Sequence, residues 1–197
     1  ALYIAAVGSF GVLSILLAGW SSNNKYSLLG AFRSGAQLVS YEVPMLLSLL
    51  IPVLLAHSMN MTTIVEAQKI WFIVLVPASA LLFFLSSLAE IGRAPFDLIE
   101  ADSEIVAGYV TEYSGMKFAM FFLAEFVNMF TVSAIAVTLF FGGWNGFEFL
   151  PSWVWFFGKT LCIVLLLMLF RWTYPRLRVD QLMEFAWKFL VPLTFAN

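Results

Sequence analysis

The sequence predicts an all-α fold, a polytopic bundle of about six transmembrane helices with a short helix in an acidic loop. Of its 197 residues, 62% are hydrophobic and only 11% are charged, whereas soluble domains carry roughly 25% charged residues. Several apolar runs reach the roughly 20 residues that a bilayer-spanning helix needs, and continuous apolar runs such as 43–55 and 70–88 fit helices. The apolar and polar alternation of barrel strands is absent, so the spans are predicted to be helices.

The apolar runs form a single predicted transmembrane domain over residues 1–197. The six predicted spans cover residues 1–20, 36–56, 70–89, 118–141, 152–170 and 179–197. The acidic loop, residues 90–117, separates the third span from the fourth. Because proline has no backbone N–H and clashes with the preceding helical turn, Pro44 is predicted to loosen the second span beside Glu42, and Pro77 to kink the third.

Composition excludes several classes of function. A net charge of −2 argues against nucleic-acid binding, which requires a basic face. The single cysteine, Cys162, permits neither an internal disulfide nor an iron–sulfur site, and we predict no metal site on this chain. The sequence shows no internal repeat and no pair of matching broken helices, which weakens the interpretation as an inverted-repeat transporter.

The basic residues predict which loops share a side of the membrane. Six spans leave five loops, and seven basic residues lie on the side of the first, third and fifth loops: Lys25, Arg33, Arg93, Lys117, Arg171, Arg176 and Arg178. The other side has Lys69 and Lys159. By the positive-inside rule, the acidic loop faces the cytoplasm or the mitochondrial matrix. A soluble partner is expected to dock on that surface.

Acidic residues are concentrated in one stretch of the chain. Seven of the twelve acids lie between residues 90 and 125: Glu90, Asp97, Glu100, Asp102, Glu104, Glu112 and Glu125. The D-x-x-E pattern from Asp97 to Glu100 is typical of a capping box and predicts a short helix from about Leu98 to Gly108. On that helix Glu100 and Glu104 share a face and titrate as a coupled pair.

Two further acids extend this series into the membrane, since Glu42 and Glu125 lie within predicted spans. Ionisable groups inside a bilayer are costly and usually functional, and a chain of carboxyl groups within reach of one another is how a proton relay is built. Two structural alternatives stand beside this hypothesis. The loop acids can be solvated surface charge, and Glu42 can be a structural carboxyl bonded to a neighbouring helix.

Three long motifs carry a resemblance to a known family. They are residues 90–126 (EIGRAPFDLIEADSEIVAGYVTEYSGMKFAMFFLAEF), residues 18–30 (AGWSSNNKYSLLG) with Arg33 and the Ser40-Tyr41-Glu42 triplet, and residues 174–183 (YPRLRVDQLM). Together they resemble the membrane-arm subunit 1 family of respiratory complex I, the proton-pumping NADH:quinone oxidoreductase. The resemblance covers almost the whole chain.

The resemblance implies a role for this chain. In that family the subunit encloses much of the quinone chamber and begins a carboxylate path that couples quinone reduction to proton translocation. The positions that fall on that path are Glu42, Glu90, Glu100, Asp102, Glu104, Glu112 and Glu125. The positions that fall near the quinone channel or the loops beside it are Arg33, Arg93, Phe96, Arg176, Arg178 and Asp180. Ubiquinone is the expected substrate, and no redox cofactor is expected on this chain.

The resemblance also implies partners and a location. The expected partners are the soluble-arm subunits of the quinone site, the adjacent small membrane subunits and lipids. Family members are about half as long again, so we expect the two upstream helices on a separate N-terminal fragment of the same subunit. Such splitting suits an organellar genome, which favours the mitochondrial inner membrane, with the bacterial plasma membrane as the alternative. Gly92 stands where the family usually has asparagine.

Three other functions remain open at this level. The first is the equivalent subunit of a membrane-bound hydrogenase or formate-oxidising complex, which shares the fold and the acids without needing quinone. The second is a stand-alone ion or proton transporter that uses Glu42 and Glu125. The third is a structural scaffold whose acids bind an arginine-rich partner.

Overall fold

The helical architecture is seen in a computed structural model that describes residues 2–93, 96, 108–146, 151–175 and 177–197. In these ranges the α-helices are α1 Leu2–Gly8, α2 Phe10–Ser21, α3 Lys25–Ala56, α4 Met61–Ala67, α5 Phe72–Leu75, α6 Pro77–Glu90, α7 Met116–Phe140, α8 Ser152–Thr173, α9 Val179–Glu184 and α10 Val191–Ala196. A 3₁₀ turn, Gly108–Val110, precedes α7, and a π-helical segment, Phe185–Leu190, joins α9 to α10.

The predicted class, a helical membrane bundle, is confirmed. Four helical stretches are long and apolar enough to cross a bilayer: Leu2–Ser21, Lys25–Ala56, Met116–Phe140 and Ser152–Thr173. The first of these combines α1 and α2, which only Ser9 separates. The part of the chain that the structure describes contains helices and no strand.

Helix α3 is the centre of the bundle. Half of its most apolar stretch is buried inside the chain, against 11% for the combined α1 and α2. It packs along α2 on one side and along α6 on another. The approach to α2 is close because small residues meet there: a Cβ added at Gly19 would lie 2.2 Å from the Cβ of Ala31. Burial of α3 on several sides fixes the position of every group it carries.

The second predicted span, 36–56, lies within a longer helix. Helix α3 begins at Lys25 rather than near residue 36, and the side chain of Asn24 caps it by accepting a hydrogen bond from the Tyr26 amide at 3.1 Å. Ser27 is fully buried and donates to the Tyr109 carbonyl at 3.0 Å. The polar residues that suggested a loop are thus contact residues of a helix, because tertiary packing overrides local propensity.

The third predicted span, 70–89, is divided at Val76 into α5 and α6. Pro77 has no N–H to donate into a preceding turn and disfavours the helical conformation at Val76, whose φ of −131° and ψ of 67° are not helical. The kink predicted at Pro77 is confirmed as a complete break. Pro44, by contrast, lies inside the continuous helix α3, so the loosening predicted there is not a break.

The last predicted span, 179–197, consists of α9, the π-helical segment and α10. Because Pro192 cannot donate to the carbonyl four residues back, a wider turn before it is readily accommodated. This segment packs on α3, where the Tyr41 hydroxyl donates to the Leu182 carbonyl at 2.8 Å and the Trp187 indole donates to the Ser40 hydroxyl at 3.2 Å. Six membrane crossings remain a prediction, of which four have a continuous helix of sufficient length.

The acidic loop is described only at its two ends. Residues 97–107, which include the short helix predicted from Leu98 to Gly108, lie outside the described residues. At the far end of the loop, the Asn24 amide donates to the Glu112 carboxylate at 2.7 Å. This contact places the first loop and the end of the acidic loop on the same side of the bundle, as their charge pattern predicts.

Candidate functional site

Three of the predicted carboxylates meet at one cavity of about 390 Å³. Glu42 comes from α3, Glu90 is the last residue of α6, and Glu125 lies nine residues into α7. At 1.5 Å per residue, Glu125 is roughly 14 Å from the start of its helix. Helices α1 and α2 line another wall with the glycines Gly8 and Gly11. Residues far apart in sequence therefore share one half-enclosed space.

Glu42 is half-buried and receives a hydrogen bond from outside its own helix. The donor is the hydroxyl of Ser9, which lies at the break between α1 and α2. Glu42 also lines the cavity. The bond from Ser9 connects the first described helices to the central helix at the site itself.

Glu90 is held in place by its neighbours rather than by its own carboxylate. The buried Gln37 side chain of α3 donates to the Ala89 carbonyl at 2.9 Å and to the Phe96 carbonyl at 2.7 Å, which fixes the chain on both sides of Glu90. The Oε2 atom of Glu90 is buried without a hydrogen-bond partner among the described residues. Glu90 is close enough to Glu42 for the two negative charges to repel each other.

Glu125 forms an ion pair with Arg93, with 2.8 Å between the guanidinium Nη2 and the carboxylate Oε2. The Arg93 guanidinium also lies over the rings of Phe122 and Phe126, 5.7 Å and 5.3 Å from their centroids. The chain reaches this position through Gly92, whose φ of 67° is left-handed. Glycine and asparagine tolerate that conformation best, which explains why either residue is suitable there.

The arrangement suits proton storage and transfer. A cavity of about 390 Å³ has room for several water molecules, and a carboxyl group passes a proton to another directly or through one water. Of the three acids, the structure gives only Glu125 a cationic partner among the described residues. Glu42 and Glu90 repel each other when both are ionised, so sharing a proton between them relieves that repulsion.

Among the remaining acids of the predicted path, the structure describes only Glu112, and it does not line this cavity. Glu112 is exposed and bonded to Asn24. Glu100, Asp102 and Glu104 lie outside the described residues, so their place in the path stays a prediction.

The residues predicted near the quinone channel are dispersed in the described structure. Arg33 is half-buried on α3, and Phe96 is buried with its ring 5.6 Å from that of Tyr41. Arg178 and Asp180 are exposed at the start of α9, while Arg176 lies outside the described residues. Arg93 contacts Glu125 of the acidic cavity. The quinone role of the set stays a prediction.

Sequence reasoning missed the uncharged polar residues of the site. Asn128 and Thr131 line the cavity from α7, and Ser9 bonds to Glu42. Asn128 and Thr131 follow Glu125 at steps of three residues, which keeps all three on one side of a helix. That spacing in the sequence could have indicated that Asn128 and Thr131 share the site with Glu125. No comparable signal existed for Ser9, because Ser14 has equivalent apolar surroundings in the sequence.

A second, apolar cavity of about 420 Å³ lies between α6, α7 and α8. Its two serines, Ser87 and Ser133, donate to carbonyls of their own helices at 2.8 Å and 2.7 Å. Aliphatic and aromatic side chains form the rest of its wall. Since the serine hydroxyls are already bonded, the cavity is suited to a hydrocarbon group rather than to a polar ligand.

Comparison with known proteins gives one consistent family. The family model described as NADH dehydrogenase matches residues 1–197. The chain is 52% identical over 200 residues to the H subunit of NADH-quinone oxidoreductase from Carboxydothermus hydrogenoformans, covering 100% of this chain and 57% of the relative. It is 54% identical over 196 residues to the same subunit from Dehalococcoides mccartyi, strain CBDB1, covering 100% of this chain and 55% of the relative.

A third relative is the corresponding NADH-quinone oxidoreductase subunit from Phocaeicola vulgatus, 50% identical over 212 residues, with 99% of this chain and 59% of the relative covered. The chain thus spans less than two thirds of the length of the curated relatives it matches. The family model matches every residue, and these relatives share at least half of the aligned residues. The chain therefore belongs to the NADH dehydrogenase family.

Proposed function

We propose that this chain is part of the membrane subunit of a proton-pumping NADH:quinone oxidoreductase and carries the start of its proton path. The observation that carries the proposal is the meeting of Glu42, Glu90 and Glu125 at one cavity within a helical membrane bundle. These three acids come from three helices, so no local sequence feature requires them to be close. Ionisable groups in a membrane are costly, so their presence there usually marks a functional site.

Each acid has a distinct part in the proposed path. Glu90 ends α6 beside the acidic loop and takes a proton from that side. Glu42 accepts it across the cavity, with the Ser9 hydroxyl orienting the carboxylate. Glu125, paired with Arg93, exchanges protons with the same water-filled space. Proton movement through this space is coupled to quinone reduction elsewhere in the complex.

The substrate, partners and location follow from the same proposal. The quinone headgroup binds beside the acidic loop, and the apolar cavity between α6, α7 and α8 is suited to its hydrocarbon tail. The soluble arm that delivers electrons docks on the loop side, and the small membrane subunits continue the proton path. The three relatives are bacterial, which favours a bacterial plasma membrane over the mitochondrial inner membrane. That the upstream helices form a separate polypeptide stays a prediction, tested by the mass of the intact subunit.

The test replaces each acid by its isosteric amide in the assembled complex. We expect Glu42→Gln and Glu90→Gln each to lower NADH-driven quinone reduction and proton pumping together by roughly tenfold or more, since proton-transfer groups contribute at least that much. The matched control is Glu66→Gln, an exposed acid on α4. Assembly is measured on the same membranes.

Three outcomes would contradict the proposal. Normal reduction and pumping in both variants would remove the proton path through this cavity. Loss of assembled complex with normal turnover in what remains would instead assign the acids a scaffold role. Proton transport by this chain in vesicles without the other subunits would support a stand-alone transporter.

A further inference from the structure

We propose that Arg93 is a positioning residue for Glu125, rather than a quinone contact, and that it returns Glu125 to its ionised form after each proton transfer. The proposal rests on the proposed function, and it assigns a role to a residue that the sequence resemblance groups with the quinone channel. Three features of the geometry support it: the ion pair, the two rings that hold the guanidinium, and the location of Arg93 between two cavities.

The ion pair is formed in a protected setting. The Arg93 side chain is only 8% exposed and that of Glu125 is 21% exposed, with 2.8 Å between the charged atoms. Exposed pairs contribute little, but a buried cation that loses its partner is costly, so the guanidinium favours a charged carboxylate beside it. Glu125 is thereby stabilised as an acceptor for the next proton.

The rings hold Arg93 independently of that charge. Phe122 and Phe126 are four residues apart on α7, and Glu125 lies between them in sequence, so one stretch of helix supplies both rings and the carboxylate. Cation–π attraction to the two rings persists when Glu125 takes up a proton. The guanidinium therefore stays in place, and its field favours release of that proton.

Arg93 lies between two cavities. Glu125 lines the acidic cavity, whereas Arg93 lines a small pocket of about 20 Å³ on the other side, together with Arg171. Ile91 lines both. The turn at Gly92 thus places Glu90 on the acidic cavity and Arg93 behind Glu125. A guanidinium in that location acts on the carboxylate without itself entering the path.

A double-mutant cycle tests the inference in the assembled complex. We expect Arg93→Gln and Glu125→Gln each to lower the maximal rate of NADH-driven quinone reduction by about tenfold, equivalent to ~1.4 kcal/mol in the barrier, with the KM for quinone unchanged. The double variant should be no slower than the slower single variant, because Arg93 acts only through Glu125. Arg93→Lys should retain more activity than Arg93→Gln, since it keeps the charge but stacks less well.

Two further variants complete the design. Lys117→Gln removes an exposed cation from the start of the same helix and should leave the rate unchanged. Phe126→Leu weakens the ring contact while keeping both charges, and should lower the rate by about threefold in the parent but not in the Glu125→Gln background. If Arg93→Gln fails to assemble, the Phe126→Leu cycle gives the same test.

The outcomes separate the inference from the proposed function. Losses that multiply in the double variant, or a raised KM for quinone in Arg93→Gln alone, would assign Arg93 to the quinone site and overturn the inference. A normal rate in Arg93→Gln with reduced rates in Glu42→Gln and Glu125→Gln would overturn the inference and leave the proposed function intact. Normal rates in both glutamate variants would overturn the proposed function itself.

Discussion

Two charged groups contact helix α7 or the turn that follows it, and they are bound in opposite ways. In the first half of the helix, Glu125 pairs with Arg93 and faces a cavity that also contains Glu42 and Glu90. Past its other end, the ammonium group of Lys159 on α8 donates to three backbone carbonyls, those of Phe141 at 2.9 Å, Gly143 at 3.3 Å and Asn145 at 2.6 Å. The first contact joins two side chains, and the second joins a side chain to the backbone.

Several groups stabilise the Lys159 ammonium and the end of α7 that it contacts. Its ammonium lies 5.2 Å from the centroid of the Trp71 ring, and the negative end of the α7 dipole favours a cation there. The Gln68 amide donates to the Thr138 and Leu139 carbonyls, both at 3.0 Å. The three hydrogen bonds of the Lys159 ammonium all go to backbone carbonyls in the turn after α7.

The difference distinguishes a structural charge from a functional one. Backbone carbonyls are not protonated at physiological pH, so the acceptors of Lys159 do not gain or lose protons during turnover. Carboxylates beside a cavity can exchange protons, so the contacts of Glu42, Glu90 and Glu125 can change during turnover. Burial of a charged group is therefore not sufficient to indicate function, and the chemistry of its partner must be considered.

The largest expected effect on stability is at Lys159. Lys159→Met removes three hydrogen bonds, and their loss is expected to destabilise the subunit by about 3 kcal/mol. The measurement is the thermal stability of the purified complex, with quinone reduction determined per assembled complex. We expect reduced stability and near-normal turnover.

Lys188→Met is the matched control for this prediction. Lys188 is 74% exposed and pairs with Glu184, four residues away on the same helical segment, so its loss should change stability by less than about 1 kcal/mol. If Lys159→Met leaves stability unchanged but abolishes turnover, Lys159 has a functional role and the distinction from the acidic cavity is wrong.

The next effect is at Gly143, which supplies one of the carbonyls that bind Lys159. Its φ of 54° is left-handed, and an added Cβ would lie 2.8 Å from a methyl carbon of the buried Val65. We expect Gly143→Ala to destabilise the subunit by about 2 kcal/mol through backbone strain and this clash. The same thermal measurement applies.

Gly158→Ala is the control, because the position is on α8 next to Lys159 and an added Cβ there meets nothing within 4 Å. It should be neutral or stabilise the helix by up to about 1 kcal/mol. Equal losses in the two alanine variants would show that the turn geometry around Gly143 does not hold Lys159.

The sequence was sufficient to predict the fold class and the break at Pro77, because both depend on local composition and on proline geometry. The participation of Glu42, Glu90 and Glu125 in one path was implied by the family resemblance, and the structure brings them to one cavity. The start of α3 could not be predicted, since its buried face consists of small and polar residues such as Ser27 and Ser34. Their burial depends on the chain packed against them.

The sequence also could not predict which side chains pair with Arg93 and with Glu42. The resemblance placed Arg93 near the quinone channel, whereas in the structure Arg93 follows the turn at Gly92 and pairs with Glu125, one of the seven acids of the stretch. Ser14 and Ser9 are equivalent by their apolar sequence surroundings, yet Ser14 donates to the carbonyl of Phe10 in its own helix at 2.9 Å. The Ser9 hydroxyl lies 3.4 Å from the Ala5 carbonyl in the same way, but it also bonds to the Glu42 carboxylate of α3. Such choices are made by tertiary geometry.

The smallest expected effect is at Ser9, and it tests the acidic cavity rather than the Lys159 contact. Ser9→Ala removes the hydroxyl that orients Glu42 but leaves the carboxylate in the cavity, so its cost should be that of one hydrogen bond, about 1 kcal/mol. This corresponds to a loss of about fivefold in the rate of quinone reduction, less than for Glu42→Gln. The control is Ser22→Ala, which removes a serine-to-carbonyl bond at the other end of α2. A change in thermal stability without a change in rate would assign Ser9 to helix packing, because an orienting bond must affect the group that it orients.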